Sequence, residues 1–456
     1  MARVKVPINI NVDSQLNKQD CQKSSLMDRR IRVLLIAEAA NPEWTSVPLI
    51  GWSLARALAK VADVHLVTQI RNRAAIIRAG MIEGADFTAI DNEQFAAPLS
   101  KLSRMLRGGI GKGWTTTAAF SSLAYYSFEN NLWNRFKGRL MEHEFDLVHR
   151  VTPLSPTSPS IIAKRLSHLN IPFVIGPLNG GVPWPKEFRA RQYAEKEWLS
   201  HVRWLFKLMP AYRSTRRYSA AILTGSRYTF DEMPNWAKHK CVYIPENGVD
   251  LDRFSNSRDR IASIPLQGAF VGRLVPYKGA DILLEAAASF LRSGQLELHF
   301  IGDGPHRQLL EGLVDQLNVR RAVTFHGWIP HTEVQNTLSA CDFLALPSIR
   351  EFGGGVVLES MALGVVPIVA DYGGPAELID SETGIRVPFS DKKSLVEGMA
   401  LAIARLIQNP EILARLGTAG RQKVAEQFTW DAKATQIMKV YEAVLSGATN
   451  LNSLFR

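Results

Sequence analysis

The sequence predicts two α/β domains, each built on a parallel β-sheet with helices on both faces. The chain has 456 residues, which is enough for two or three domains. Short runs rich in Val, Ile and Leu alternate with longer amphipathic segments, as buried parallel strands and their crossover helices do. The runs form two series, and one open parallel sheet rarely takes so many strands.

The strand series begin at residue 31 and after residue 265. The predicted strands are 31–37, 61–68, 145–149, 172–176 and 220–225 in the first half, and 268–274, 296–302, 322–327, 341–348, 365–370 and 384–387 in the second. Residues 245–265 are rich in turn formers and charge. We predict a mobile extension over 1–30, an N-terminal domain over 31–245, a linker over 246–264, a C-terminal domain over 265–427, and a final helix and tail over 428–456.

Composition excludes several classes of protein. With 46% hydrophobic and 21% charged residues, a disordered or collagen-like chain is excluded. No apolar run approaches the roughly 20 residues of a membrane-spanning helix, and the N-terminus lacks the apolar core of a secretory signal, so we expect a cytoplasmic protein. The three cysteines are too far apart in sequence for a disulfide framework or a zinc site, and we expect free thiols.

The most informative segment is a glycine-rich turn between two predicted strands. Gly353, Gly354 and Gly355 open a short helix that is expected to end near Gly364. Free backbone N–H groups and the positive end of the helix dipole can hold a phosphate there. Glu351 precedes the turn and Glu359 lies about one helical turn into the helix. Both carboxylates fall in an apolar segment and need donors, and sugar or ribose hydroxyls are suitable.

Two cations follow the first strand of the second series. Arg273 leaves the strand end and Lys278 lies in the loop before the next helix. Ligands of open α/β sheets bind outside the carboxyl ends of the strands, so both cations should face the crevice of the glycine turn. Arg can bind a diphosphate with a forked pair of hydrogen bonds and Lys with a point charge.

Together these motifs resemble a known family. The resemblance is carried by the Glu351/Glu359 pair and by GRLVPYKG (272–279), IGDGP (301–305), NGVDLDRF (247–254) and GGPAELI (373–379). It is a resemblance to the retaining family 4 glycosyltransferases, and it implies the GT-B fold, in which two doubly wound Rossmann-like domains face a cleft. It further implies that Glu351 lies against the donor sugar, Glu359 holds the ribose, and Arg273 and Lys278 contact the diphosphate. The final helix, 428–445, would cross back to the N-terminal domain.

The first half matches this family less closely. FDLVHRVTPLSP (145–156) resembles the strand of the family that ends in a histidine, which implies that His149 projects into the cleft beside the transferred sugar. Many members have paired glycines in the first loop, near the diphosphate. This chain has only Gly51 there, which we take as a candidate donor-binding residue.

Other motifs have a structural interpretation. IGDGP lacks the third glycine of a dinucleotide motif and fits a tight strand-to-helix turn. Asp250 and Asp252 imitate a DxD metal motif but fall in the linker, so we predict no catalytic metal and no cofactor besides the nucleotide-sugar donor. Trp44 and Trp184 either stack on an acceptor sugar or anchor loops. Base contacts in such folds are often backbone groups, here around 328–330.

The positive charge is concentrated in the first half of the chain. The net charge is +11, and residues 1–250 hold 34 Lys and Arg against 21 Asp and Glu, whereas the rest holds 20 against 22. Residues 186–217 include nine cations and a helical apolar stripe, and residues 101–112 hold four cations without an acid. The segment 186–217 is either a helix docked on its own domain or an interfacial helix on anionic lipid. Nucleic acid is a weaker explanation of the positive charge, since no recognition motif accompanies it.

The expected function is metal-independent, retaining transfer of a sugar from a nucleoside-diphosphate donor, a UDP-sugar, to a hydroxyl of an envelope polysaccharide or lipid-linked acceptor. The resemblance implies this class of acceptor, at the inner face of the membrane. Two alternatives are a sugar-nucleotide epimerase of the same architecture and a non-catalytic subunit that binds nucleotide sugars.

Overall fold

The computed structural model describes residues 29–95, 97–99, 114–189, 191, 206–254 and 263–455. Within these ranges the chain forms two domains, each around one parallel sheet. Residues 1–28 of the predicted extension and residues 255–262 of the predicted linker lie outside the described part of the chain.

The N-terminal domain contains a seven-stranded sheet. Its strands are β1 (Arg32–Ala37), β2 (Asp63–Gln69), β3 (Phe87–Ile90), β4 (Leu147–Thr152), β5 (Phe173–Leu178), β6 (Ala221–Thr224) and β7 (Cys241–Tyr243). They lie in the order β3-β2-β1-β4-β5-β6-β7, all parallel. The strand order reverses between β1 and β4, as in a doubly wound Rossmann sheet.

The C-terminal domain repeats this plan with six strands. They are β8 (Leu266–Val271), β9 (Leu296–Ile301), β10 (Val323–Gly327), β11 (Phe343–Leu346), β12 (Val366–Ala370) and β13 (Ile385–Val387). The order β10-β9-β8-β11-β12-β13 reverses between β8 and β11. The loops after these two strands carry Arg273 and Gly353, so the predicted site lies where an open α/β sheet most often binds its ligand.

The helices connect the strands and cover both faces of each sheet. In the first domain they are α1 (Val47–Val61), α2 (Arg73–Arg78), α3 (Trp114–Met141), α4 (Ile162–His168), α5 (Tyr212–Tyr218) and α6 (Arg227–Asp231). In the second half of the chain they are α7 (Ala280–Arg292), α8 (Arg307–Gln316), α9 (His331–Ser339), α10 (Gly355–Ala362), α11 (Gly374–Leu378), α12 (Lys392–Gln408), α13 (Glu411–Lys423) and α14 (Trp430–Leu445). Among the described residues, no helix is both long and apolar enough to cross a membrane.

The central strands are buried on both faces, which explains their continuous apolar sequences. In β1, Val33 and Leu35 pack into the core on one side of the sheet, and Leu34 and Ile36 pack into the core on the other. Successive side chains of a strand point to opposite faces. A strand covered by helices on both sides therefore needs apolar residues at consecutive positions rather than at alternate ones.

The final helix returns to the N-terminal domain. The Thr429 hydroxyl caps α14 by accepting the Ala432 N–H at 3.0 Å. The helix packs on α1, and Ile437, Val440 and Tyr441 are buried in the N-terminal core. These contacts confirm the predicted GT-B architecture, including the crossing helix.

A second connection between the domains was not predicted. The chain after β5 extends across the cleft, where Trp184 packs edge-on against Tyr277 with ring centroids 6.2 Å apart. Phe188 is buried in the core of the C-terminal domain, and Arg191 donates to the Asp281 carboxylate at 2.6 Å. Trp184, Phe188 and Arg191 thus pack with the second domain although they precede the last strands of the first.

The strand predictions differ from the structure at the sheet edges and in β4. The sequence predicted neither β3 nor β7, which are edge strands of four and three residues. The predicted strand 145–149 is shifted, because β4 continues to Thr152. His149 therefore lies inside the strand rather than at its end.

We predict that Tyr441→Phe weakens the docking of α14. The Tyr441 hydroxyl lies 2.6 Å from His149 Nδ1, and both side chains are buried. Without it a buried ring nitrogen loses its partner, which costs on the order of 1–3 kcal/mol. Urea denaturation followed by fluorescence would measure the free energy of unfolding. The control is Tyr218→Phe, because Tyr218 is a half-buried residue whose hydroxyl has no hydrogen bond to the described residues. Equal stability of the two variants would show that the contact contributes nothing.

Candidate functional site

The glycine turn shapes the start of α10. Gly354 is the N-cap residue and has φ of 70° and ψ of 42°, a left-handed conformation that favours glycine. A Cβ at Gly353 would overlap the side chains of Glu246 and Asn247. The helix runs from Gly355 to Ala362, and Gly364 follows with φ of 75°. Its bounds agree with the sequence-based prediction, and its first N–H groups have no side-chain cap.

Arg273 and Lys278 follow β8 on the neighbouring loop. Lys278 Nζ forms an ion pair with Glu351 Oε2, and the two side chains are only 16% and 18% exposed. Burial alone would lower the pKa of Lys278, but the Glu351 carboxylate outweighs it and raises that pKa. Arg273 is half-buried and forms no side-chain hydrogen bond or ion pair with the described residues. The two cations therefore differ, because one is already neutralised and the other is available to an anion.

The IGDGP turn holds the loop that carries Arg273. A Cβ at Gly302 would overlap the Gly272 carbonyl, and one at Gly304 would overlap the Leu274 carbonyl. The Leu274 N–H donates to the Asp303 carbonyl at 3.0 Å. The glycines thus permit close backbone packing beneath Arg273, as the structural interpretation of this motif predicted.

Glu351 and Glu359 lie on either side of the glycine turn. The GGPAELI segment holds the first of them, because the Gly374 N–H donates to the Glu351 carbonyl at 3.2 Å. Glu359 is half-buried within α10. The Lys278–Glu351 ion pair thus joins the loop that carries Arg273 to the loop of the three glycines. Their roles toward a donor stay predictions.

His149 does not project into the cleft as expected. Its side chain is fully buried, Nδ1 lies 2.6 Å from the Tyr441 hydroxyl, and Nε2 lies 2.7 Å from the Gly176 carbonyl. Burial lowers the pKa of His149 to about 4, so the ring is neutral at physiological pH. Because both nitrogens are occupied within the core, the geometry gives His149 a structural role in docking α14.

Gly51 also lies away from the expected phosphate contact. It is buried in α1, a full turn after the helix begins at Val47. A Cβ at this position would overlap the Ala39 carbonyl. The structure therefore explains this glycine by the close packing of α1 on the loop after β1, rather than by a free N–H group at a helix start.

The sequence analysis missed a polar junction between the domains. Asn179, which follows β5, donates from Nδ2 to Glu246 Oε1 at 2.6 Å and to the Phe352 carbonyl at 2.9 Å. Glu246 is 5% exposed, and its Oε2 has no hydrogen-bond partner among the described residues. Burial raises the pKa of Glu246 to about 7. Glu246 directly precedes the NGVD motif, which was the only sequence signal for it.

Lys433 of the crossing helix lies at the same junction. Its Nζ donates to the Pro245 carbonyl at 2.6 Å, and burial lowers its pKa to about 7. Strands β5 and β7, the glycine turn and α14 therefore meet at one buried cluster of polar groups. This cluster connects the backbone of the glycine turn to the N-terminal domain.

The remaining candidates are more peripheral. Trp184 Nε1 is buried, and the ring anchors its loop to Tyr277, whereas Trp44 is half-exposed. Asp250 Oδ1 accepts the Asp252 N–H at 3.1 Å, as expected of a turn. Trp328, beside the expected base contacts, is 72% exposed. The segment 101–112 and, within the basic segment 186–217, residues 190 and 192–205 lie outside the described residues.

The fold and the cleft define a protein of the GT-B class. Residues 262–423 match the model of the family described as Glycosyl transferases group 1. The crystal structure of HepE from Anabaena in complex with UDP superposes over 91% of this chain and 100% of its own, with a TM-score of 0.59 at 15% identity. At that identity the likeness establishes the fold.

Two curated relatives match about half of the chain. The glycogen synthase of Mycobacterium tuberculosis is 29% identical over 238 residues, which are 51% of this chain and 56% of the relative. A GDP-mannose-dependent mannosyltransferase of Corynebacterium glutamicum, which acts on a monoacylated phosphatidylinositol monomannoside, is 29% identical over 247 residues, or 50% and 59% of the two chains. The matches thus span less than two thirds of these relatives.

We predict that Glu246→Gln changes the pH dependence of stability. Below about pH 7 the native carboxyl keeps a proton that the unfolded chain releases near its ordinary value of 4.5. The free energy of unfolding therefore falls as pH rises through that interval. Glutamine cannot titrate, so the variant should gain up to about 3 kcal/mol on the wild type from about pH 4.5 to about pH 7.

Denaturant unfolding at several pH values would test this, with most points in the lower part of that interval, where Lys433 stays protonated because its own pKa is about 7. Glu397→Gln is the control, because Glu397 is solvent-exposed. A difference between Glu246→Gln and wild type that stays constant with pH would refute the raised pKa.

Proposed function

We propose that this protein is a retaining, metal-independent glycosyltransferase that moves a sugar from a UDP-sugar to a hydroxyl of an envelope polysaccharide or a lipid-linked acceptor. The observation that carries the proposal is the arrangement at the strand-order reversal of the C-terminal sheet. There the Lys278–Glu351 ion pair joins the loop after β8, which also carries Arg273, to the glycine turn at the uncapped start of α10. The match of residues 262–423 to the group 1 family model and the UDP complex of a protein with the same fold support a UDP-sugar as the donor.

The leaving diphosphate would be stabilised mainly by Arg273 and the N–H groups of Gly354 and Gly355. Cleavage of the bond between the sugar C1 and the diphosphate oxygen leaves negative charge on the diphosphate, and donors that bind it more tightly as it departs lower the barrier. Arg273 is suited to this role because it has no internal carboxylate partner among the described residues. A guanidinium can also bind two phosphate oxygens at once.

The ion pair with Glu351 gives Lys278 a different role from the predicted one. A lysine that already neutralises a carboxylate adds little net positive charge for the diphosphate. Its contribution is to orient Glu351 through the ion pair, so that this carboxylate can accept hydrogen bonds from hydroxyls of the donor sugar. Glu359, within α10, would hold the ribose. In this proposal Arg273 contacts the diphosphate, Glu351 with its partner Lys278 contacts the sugar, and Glu359 contacts the ribose.

Transfer would be completed by an acceptor hydroxyl. Its oxygen forms the new bond to the sugar C1 on the face that the diphosphate leaves, and its proton passes to the departing diphosphate oxygen. The neutral, buried His149 takes no part in this step. The mannosyltransferase relative, whose named acceptor is a membrane lipid, supports an acceptor in the cell envelope, and the basic N-terminal half supports contact with an anionic membrane or acceptor.

The decisive experiment combines the purified protein with a panel of nucleotide sugars, with and without acceptors, in the presence of EDTA. We expect transfer that persists in EDTA and that NMR shows to preserve the anomeric configuration of the donor. Conversion of the donor to an epimer without acceptor would identify the alternative enzyme class. Donor binding without turnover under any condition would identify a non-catalytic subunit, and an inverted product would exclude retention.

We predict that Arg273→Ala lowers turnover about 100-fold, the scale found when one donor to a developing negative charge is removed. The Michaelis constant for the donor should change less, because the charge develops in the transition state. Steady-state release of nucleoside diphosphate would measure both quantities. Arg386→Ala is the matched control, since Arg386 is an exposed arginine in β13 of the same domain. If the two variants turn over alike, Arg273 does not stabilise the leaving group.

A further inference from the structure

A pocket of 360 Å³ opens beside the candidate donor site. Its walls are the loop after β5 around Gly180 and Gly181, the region of α6, and the turn before α5; Arg350 of the C-terminal domain closes one side. This volume lies in the range of small-molecule sites. The pocket is separate from the glycine turn, but the two share the loop that begins at Arg350.

Positive charge dominates the lining of this pocket. Five of its side chains are cationic, Lys186, Arg189, Lys207, Arg216 and Arg350, and one is acidic, Glu232. Glu232 lies 3.7 Å from Lys207 and offsets that charge. Lys186 and Arg189 are exposed, so they can turn toward a ligand. Concave surfaces lined by one sign of charge concentrate ligands of the opposite sign.

Arg216 forms a buried cationic element of the pocket wall. It is 3% exposed, and its guanidinium lies 3.5 Å from the centroid of the Tyr212 ring. Its terminal nitrogens donate to the carbonyls of Tyr212 and Pro156 at 3.0 and 2.8 Å, but Nε has no partner among the described residues. Burying a cation without a carboxylate is costly, so an anion in the pocket would offset that cost.

Arg350 connects the pocket to the donor site. Its guanidinium packs between the rings of Trp184 and Phe352, at 5.2 and 5.0 Å from their centroids, and its Nε donates to the Val182 carbonyl at 3.0 Å. The next residue is Glu351, which is expected to contact the donor sugar. A molecule in the pocket would therefore lie one loop away from the sugar to be transferred.

We propose that this pocket binds the acceptor, and that the acceptor is a sugar carrying a phosphate or a carboxylate. The cations recognise the anionic group, and the aromatic side chains of Trp184, Tyr212 and Tyr228 provide apolar surface for the faces of the sugar ring. The inference deepens the proposed function and rests on it. A charged lipid-linked sugar and an acidic polysaccharide share this chemistry.

The first test is equilibrium binding to the protein saturated with UDP, using glucose 6-phosphate, glucuronic acid and neutral glucose as probes. We expect the two anionic probes to bind about tenfold more tightly than glucose. The double variant Lys186→Ala, Arg189→Ala should bind the anionic probes no more tightly than glucose. The single variant Lys186→Glu should bind the anionic probes more weakly than the wild type does. Both residues are exposed, so these variants should fold, which circular dichroism would verify.

The matched control is the double variant Lys137→Ala, Lys164→Ala. It removes two exposed cations of the same domain that do not line the pocket. An equal loss of binding in both double variants would show a general effect of net charge and overturn the proposal. Equal binding of glucose and the anionic probes to the wild type would overturn it as well.

The second test identifies which kind of acceptor carries the anion. It also separates failure of the pocket proposal from failure of the glycosyltransferase proposal. Transfer assays would use a polyprenyl-diphosphate-linked monosaccharide in one arm and a hexuronic-acid oligosaccharide in the other, each with its uncharged counterpart. Preference for either charged acceptor, lost in the Lys186/Arg189 variant, supports the pocket and identifies the source. Transfer to neutral acceptors with equal efficiency leaves the glycosyltransferase proposal intact and overturns the pocket. Anion binding without any turnover of nucleotide sugars would instead support the pocket and refute the proposed glycosyltransferase activity.

Discussion

The backbone from Glu351 to Gly354 is held from both domains, and the rest of the candidate site depends on that constraint. The Phe352 carbonyl accepts from Asn179 of the first domain, the Glu351 carbonyl accepts from Gly374 of the second, and the Glu351 side chain is paired with Lys278. A loop with these partners cannot move without breaking contacts on two sides. It therefore presents the start of α10 in one orientation, as preorganised electrostatic stabilisation requires.

The distribution of charge around this loop suits two anionic reactants. A donor diphosphate and an anionic acceptor repel each other when they are bound close together, so each needs its own cations. Arg273 lies at the end of a C-terminal strand, and Lys186, Arg189 and Arg216 line the separate pocket. Lys278 is neutralised internally by Glu351. Four of the five cations that line the pocket belong to the first half of the chain, and in the proposed mechanism the nearly neutral second half supplies Arg273 for the diphosphate.

The fold and the positions of the glycine turn, Arg273 and Lys278 could be predicted from sequence because their signals are local. Buried strands, the glycines around α10 and the spacing of Arg273 and Lys278 each follow from a few adjacent residues. The errors concern contacts that are distant in sequence. His149 lies inside the core against the Tyr441 hydroxyl, 292 residues later in the chain, and against the Gly176 carbonyl. The Asn179–Glu246 junction likewise joins residues that follow different strands, β5 and β7. Glu246 also fell in a segment that the sequence predicted to be a linker. β3 and β7 are too short to give a periodic pattern.

The connection at residues 184–191 determines what domain movement would do to the pocket. Because Phe188 and Arg191 pack on the C-terminal domain, this segment should move with that domain, whereas Tyr212, Tyr228 and Arg216 belong to the N-terminal domain. The walls of the pocket therefore come from both moving bodies, and any opening of the cleft separates Lys186 and Arg350 from Arg216. An acceptor that binds all of these cations gains its full interaction only when the domains are closed. Closure also excludes water, the competing acceptor, so one movement would complete the acceptor site and protect the donor.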